Sequence, residues 1–545
     1  MLRFFCITCV FLFFNCQSNF LDNNSSKPKI IVGVVVDQMR YDYLTRLSNK
    51  FSDDGFNRLI NQGFNCTNNH FNYVPTYTGP GHASVFTGTT PANHGIIGNN
   101  WYNKFEDSFV YCAGDDGVNP IGTADRAGKM SPHRMKSTTF GDENRLQTRG
   151  KGKTIGVALK DRGAILPAGH AANAAYWFHG KNEAKWITSS YYMEQLPQWV
   201  QDFNDSGIAK SYLKEWAPLK DITTYEQSGV DRNEFEFGFD GKETADFPYD
   251  LKTLAKANGE YDLIKATPFG NDLTAEFAKA AIKGEELGMD NITDVLTLSF
   301  SSTDYVGHNF GVNSKEIQDT YMRLDENIAD VLQFLDTEVG AGEYVVFLTA
   351  DHGGVDVPAY LRSKKVPAGY YDELTMKEKL NKYSSETFKN DSLIKNISNS
   401  QIFLNYDELL AEDLSVEEVT SKMSHFLLKQ EKISRVFTRH ELQIGAFSNQ
   451  IGELIQNGYN QKRSGDLVFV IDPGYIVYPD KGTTHGSGFA YDTHAPLLFF
   501  GKGINKGETY EKTYIRDIAP TISAMLGIAF PNASTGRPLK EVLDR

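Results

Sequence analysis

The chain has 545 residues, 40% of them hydrophobic and 23% charged, which is ordinary for a globular protein and excludes a fibrous or low-complexity architecture. Its formal net charge of −14 argues against a nucleic-acid-binding surface, which normally carries a basic stripe. A phosphorylated small substrate is not excluded, because the local field of a site can oppose the global charge.

Taken from the N-terminus, Arg3 precedes the apolar run Phe4 to Phe14, the length of a signal-peptide core and too short to span a bilayer as a helix. No alanine occurs before Ala83, so the usual small-residue cleavage site is missing. Phe13-Phe14-Asn15-Cys16 instead forms a loose lipobox that ends in an acylatable cysteine. Residues 1–16 are expected to be a signal peptide and 17–29 a polar tether. A lipid anchor at Cys16 and plain periplasmic secretion both stay open, so the expected location is the periplasm or the outer membrane. Cys66 and Cys112 remain in the body of the chain. An oxidising compartment favours pairing them; two unrelated core thiols are the alternative.

Ile30 to Val36 is a continuous β-branched run, as in a strand buried on both faces of a parallel sheet. Asp42 to Gly63 reads as a helix with its stop, and Thr78 to Thr87 as a helix that opens on Gly79-Pro80-Gly81. Further strands are expected at Ile155–Leu159, Asp294–Phe300, Tyr344–Leu348 and Pro496–Phe500, with helices at Ser314–Leu335 and Asp517–Leu526. The alternation predicts an α/β fold with a largely parallel sheet flanked by helices. Two stretches break the rhythm and read as insertions in a catalytic domain spanning 30–545. Residues 101–288, rich in aromatics, Gly and Asn, suggest a cap, with Ile155 to Arg162 reaching back to the site. Residues 356–481 suggest an accessory region with a strand at Gln401–Leu404, a helix at Val416–Leu428, and a strand pair, Leu467–Ile471 with Ile476–Tyr478.

Potential metal ligands stand just after the strands or in Gly/Thr-rich loops: Asp37, Asp304, His308, Asp351, His352 and His485. A parallel sheet gathers the ends of its strands at one edge, where open α/β sheets build their sites. Three carboxylates and three imidazoles suit two oxygen/nitrogen sites for zinc. The four-residue spacing of Asp304 and His308 puts both on one face of a helical turn. Taken singly, Asp304/His308 reads first as a turn cap with a surface histidine, Asp351-His352 reads as well as an Asx-turn, and His485 in its loop says little. The set is what points to metal. Thr78, at a helix N-terminus, meets backbone N–H groups and the positive dipole end that favour an alkoxide and a phosphoryl group. Helix capping is its ordinary alternative, and Thr76 is the rival hydroxyl. Lys160 and Arg162, two apart after a strand, would form an anion clamp, Arg162 as a two-pronged donor. On Lys-x-Arg alone a solvated charge pair beside Asp161 is the ordinary alternative, and the surrounding Leu159 to His170 block is what favours the clamp.

Ile31 to Arg40, Pro75 to Gly88, His94 to Trp101, Leu159 to Gly169, Ser302 to Gly311, Thr349 to Gly353 and Gly482 to His485 resemble the alkaline phosphatase superfamily. Within it the similarity is to the PafA-type, phosphate-irrepressible bacterial enzymes, and it runs from about Lys27 to Arg545. The resemblance implies Thr78 as nucleophile and two Zn²⁺. One would be held by Asp304, His308 and His485, the other by Asp37, Asp351 and His352 with Thr78 as fourth ligand. It further implies that Asn99, Lys160 and Arg162 contact phosphate. A monomer acting on small phosphate monoesters through a phosphothreonine intermediate is the expectation, with no nucleic-acid partner. Two departures are noted: the glycine-rich Gly486-Ser487-Gly488 after His485, and Cys66, which bars carrying over a disulfide. A nucleotide pyrophosphatase/phosphodiesterase of the same superfamily is the nearest alternative, disfavoured by Lys160 and Arg162, which suit the extra monoester charge. An arylsulfatase lacks its C-x-P-S-R motif here. A non-catalytic phosphate-binding surface lipoprotein is the alternative from another class.

Overall fold

The structure, a computed structural model, describes residues 27–447 and 450–543. The leader, Cys16 and most of the tether therefore lie outside the described residues. A ten-stranded sheet organises the chain. In chain order its strands are β1 (Ile30–Val36), β2 (Phe64–Cys66), β3 (Pro120–Ile121), β4 (Thr154–Ala158), β5 (Ala174–His179), β6 (Lys185–Ser189), β7 (Asp294–Phe300), β8 (Tyr344–Thr349), β9 (Leu497–Gly501) and β10 (Gly507–Thr509). In space they run β10-β2-β9-β8-β1-β7-β4-β5-β6-β3. The central five, β8-β1-β7-β4-β5, are all parallel, and antiparallel pairs flank them at β8/β9 and β5/β6. Every residue of β1, β7 and β8 is buried, which accounts for the unbroken apolar run of β1 and the largely apolar character of β7 and β8.

Register decides where the site forms. Val35 aligns with Ser299 and with Thr349, and Ser299 aligns with Ala158. Asp37, Asp351 and Lys160 each lie two residues beyond a member of that row, so three strands deliver them to one edge. Three helices frame that edge: α1 (Thr78–Thr87), α2 (Asp161–Ala168) and α3 (Ser302–Phe310).

Several expectations need correction. The Asp42–Gly63 helix is broken into Asp42–Arg46, a 3-10 turn at Ser48–Lys50, and Phe56–Gln62. The strand near the C-terminus is antiparallel to β8, because strand direction depends on the connection and leaves no mark in a five-residue apolar run. Residues 101–288 do not form a separate cap throughout, since they supply β3 to β6 of the central sheet. Many of their aromatics are core: Trp186 stacks on Phe277 with ring centroids 4.0 Å apart and both are fully buried, whereas Phe105, Phe109, Tyr191 and Phe237 are exposed. Residues 356–481 contain a four-stranded antiparallel sheet with its own apolar cluster. Within it Leu467–Ile471 pairs with Gln401–Leu404 and Ile433–Thr438, while Tyr475–Ile476 pairs with Gly369–Tyr370 instead. Cys66 and Cys112 are both free, buried in different apolar clusters. Burial pushes each thiol up to about 12, so neither is a reactive thiolate.

Candidate active site

Thr78 is the first residue of α1, and Tyr77, not Thr78, occupies the cap position. The hydroxyl is therefore not spent on capping. It is 1% exposed and makes only long contacts, 3.5 Å to His352 Nε2 and 3.4 Å from Arg162 Nη2. Thr76, the rival, donates to the Ser487 carbonyl at 2.9 Å and is tied down. Asn99 Oδ1 accepts the Gly79 N–H at 2.7 Å, so this N–H, which follows Thr78, holds the asparagine amide in place.

The metal-ligand candidates converge around Thr78. Ligand atoms of Asp37, Asp351 and His352 lie within 4.8 Å of one another, as do those of Asp304, His352 and His485. His352 thus belongs to both groups, and its ring stacks on His485 with centroids 3.4 Å apart. His308 Nε2 lies 3.1 Å from Asp304 Oδ1, the two sharing one face of α3. The structure brings all six residues together, but the partition into two triads is blurred at His352. Donor chemistry fits cations: Asp37 Oδ1 and Asp351 Oδ2 are buried with no hydrogen-bond partner. The far nitrogens of three imidazoles are fixed by carbonyls, His308 by Thr483 at 2.7 Å, His485 by Thr76 at 2.7 Å, and His352 by Gly353 at 2.8 Å. That leaves each Nε2 as the nitrogen that could ligate a metal, the orientation usual for metal-binding imidazoles. Burial, reinforced by His352, holds His485 well below its ordinary value, and burial also lowers His352. Both are thus neutral, the form that binds metal. Burial raises Asp37, with Asp304 and Asp351 adding to it. Burial opposes ionisation of Asp304 as well, but His308 and Lys160 hold it below the usual carboxylate range.

Lys160 and Arg162 both reach the site, though not as neighbours on a strand. Lys160 caps α2 and Arg162 lies in its first turn. Lys160 Nζ sits between Asp37 Oδ2 at 2.6 Å and Asp304 Oδ2 at 2.5 Å. The lysine that the sequence assigns to phosphate is here also a counter-charge for one carboxylate of each group. Arg162 donates to the Tyr111 hydroxyl at 3.2 Å, and Tyr111 in turn hydrogen-bonds Asp161. Tyr111 and Asp161 therefore orient the guanidinium.

Residues 31–496 match the family model of type I phosphodiesterases and nucleotide pyrophosphatases. The chain is 43% identical over 527 residues to alkaline phosphatase PafA of Elizabethkingia meningoseptica, covering 96% of each. The chain belongs to the PafA-type alkaline phosphatases. The crystal structure of wild-type PafA superposes on this alkaline phosphatase with a TM-score of 0.91 at 42% identity, covering 95% of this chain and 99% of that one. A PafA variant substituted at a threonine, an asparagine, a lysine and an arginine matches equally well. A Myroides odoratus protein, 44% identical over 95% of each chain, bears the name calcium-transporting ATPase. Among the described residues of this alkaline phosphatase, no helix is long and apolar enough to cross a membrane.

Sequence reading missed His82 and Tyr111. His82 is fully buried; its Nδ1 contacts the Thr78 carbonyl at 2.9 Å and lies 3.2 Å from Asp351 Oδ2, and its Nε2 contacts Ser299 at 2.8 Å. It ties the first turn of α1, which carries Thr78, to β7 and to Asp351. Its place in Gly81-His82-Ala83 was a signal, but a buried histidine four residues into a helix reads first as core. Tyr111 lies 50 residues from Asp161, and nothing local links them.

Proposed function

We propose that this alkaline phosphatase is a secreted, zinc-dependent phosphomonoesterase that works through a phosphothreonine at Thr78. The observation that supports it most is the meeting of Thr78 with six Asp/His donors, Lys160 and Arg162 in one largely buried site. The variant PafA adds weight, since the four residue types substituted there match Thr78, Asn99, Lys160 and Arg162.

Asp304, His308 and His485 would hold one zinc, and Asp37, Asp351 and His352 the other, with Thr78 as a further ligand. Bound there, the pair of ions would supply Lewis-acid stabilisation of the attacking and leaving oxygens. The chain's own groups do the rest. Thr78 Oγ1 attacks phosphorus in line, its P–O bond forming as the ester P–O bond breaks and the alcohol leaves. Water then cleaves the phosphothreonine, returning the hydroxyl and releasing inorganic phosphate. Arg162, aimed at Thr78 Oγ1 and braced by Tyr111, takes equatorial phosphoryl oxygens. Two of the three Lys160 donors go to Asp37 and Asp304, which leaves one for phosphate. Asn99, its carbonyl oxygen fixed by Gly79, offers its NH₂. Such catalysis is positioning and charge stabilisation.

The test is turnover of an aryl phosphate and of its bis-aryl diester, each with and without chelator. Chelator-sensitive preference for the monoester is expected. Preference for the diester would move the enzyme to phosphodiesterase chemistry, and absence of chelator-sensitive turnover would leave only a binding protein.

The leader supports placement in the periplasm or at the outer membrane, with a lipid on Cys16 as a membrane contact. An anchored protein partitions into detergent and loses that behaviour on Cys16→Ser. Wild type found only in the aqueous phase would refute the anchor.

A further inference from the structure

Gln38 follows Asp37 directly at the end of β1 and is 2% exposed. Its backbone N–H donates to Asp351 Oδ1 at 3.1 Å, and its side-chain Nε2 donates to Asp304 Oδ1 at 2.7 Å. One residue thus grips one carboxylate from each proposed metal group. The oxygen it holds on Asp304 is the one that faces His308 at 3.1 Å and His485 at 3.7 Å.

The local backbone is built for this grip at a cost. Gln38 has φ 63°, in the left-handed region that glycine adopts freely and other residues reach at about 1 kcal/mol or more. The side chain also needs room. A Cβ on Gly307 would lie 2.0 Å from Gln38 Oε1, and one on Gly354 would lie 3.1 Å from its Cγ, Cδ and Oε1. Two glycines from two other segments, one in α3 and one just past β8, therefore clear the slot that the glutamine fills. A glycine at position 38 would relieve the backbone and leave the slot empty. The amide itself is what the arrangement keeps.

An amide suits the task. It donates to a carboxylate without adding charge, whereas Lys160, on the other oxygen of Asp304 and on Asp37, brings a full positive charge. A neutral donor can stay in place whatever the charge in the site. Hydrogen-bond partners of ligating groups fix ligand orientation, and losing one typically weakens metal binding about 10–100-fold.

We infer that Gln38 is a positioning residue that couples the two metal groups, holding Asp304 through its side chain and Asp351 through its backbone. The inference rests on the two-metal reading given above. Its test is zinc affinity and stoichiometry of the full chain, by competition with a chromophoric chelator, for wild type, Gln38→Met and Gln38→Gly. Gln38→Met keeps the bulk and the backbone N–H but removes the donor; Gln38→Gly removes the side chain and relaxes φ. Thermal melting of the metal-free proteins runs alongside.

The expected result is two zinc ions bound by wild type and affinity weakened about 10–100-fold at one or both sites in each variant. Metal-free Gln38→Gly should melt no lower than wild type, which a purely structural role for the glutamine would not allow. Should Gln38→Met fail to fold, Gln38→Gly carries the test alone. Unchanged zinc affinity in the variants, with two ions on wild type, overturns the role of Gln38 and leaves the two-metal reading standing. A wild type that binds no zinc overturns both.

Discussion

Thr78→Ala is expected to abolish the phosphoenzyme and to lower monoester turnover by about 10⁴–10⁶-fold, the range seen when a catalytic nucleophile is removed. The size follows from how little else Thr78 does. Its hydroxyl has only the two long contacts to His352 and Arg162, and it does not cap α1, so the fold loses little when it goes. The six Asp/His donors are untouched, and zinc should stay bound. Thr78→Ser keeps a hydroxyl in the same place and should retain much of the activity. The measurement is acid-quenched turnover with peptide mass spectrometry. The expected pattern is phosphate on Thr78 in wild type, on the substituted hydroxyl in Thr78→Ser, and nowhere in Thr78→Ala. Turnover unchanged in Thr78→Ala, or a phosphopeptide carrying Thr76 instead, would sink the assignment.

The second large effect concerns substrate choice. Arg162→Ala should cut monoester turnover by about 10²–10³-fold, as loss of one donor to a developing charge does. A diester carries one less phosphate charge, so its turnover should fall no more than about tenfold, shrinking the monoester preference. Lys160→Ala should act on the same ratio but also on the protein. It strips the ammonium from Asp37 and Asp304, both nearly fully buried, and breaking a buried pair typically costs about 3–5 kcal/mol. Metal-free Lys160→Ala should therefore melt well below metal-free wild type, while zinc restores much of the difference. Arg162→Ala, whose guanidinium is held by Tyr111 rather than by a ligand carboxylate, should not show this. Equal losses on both esters would mean that neither residue selects monoesters.

Some of the site was legible because it depends on local order. β1 and most of β8 are apolar runs too uniform for an exposed strand, and Asp37 and Asp351 stand one and two residues past the ends of β1 and β8. Asp304 and His308 share a helix face through spacing alone. What escaped was long-range or conformational. Gln38 has no local signature, since neither a left-handed φ at a glutamine nor two glycines some 270 and 316 residues away can be seen in Asp37-Gln38-Met39. The aromatics of β5 and β6 read as a cap because aromatic, glycine-rich stretches look alike in a lid and in the core beside a sheet.

The sequence by itself determined the parts: α/β alternation, six Asp/His donors, Thr78, and the Lys160/Arg162 pair, all of which follow from residue type and short-range period. Tertiary structure decided how those parts are shared. Parallel register brings Asp37, Asp351 and Lys160 to one edge, His352 lies within reach of both donor groups, and Lys160 sits between a carboxylate of each group. The reason is physical: charge and ligand geometry in a buried site depend on which groups share a few ångströms, and these come from strands up to 314 residues apart in the chain.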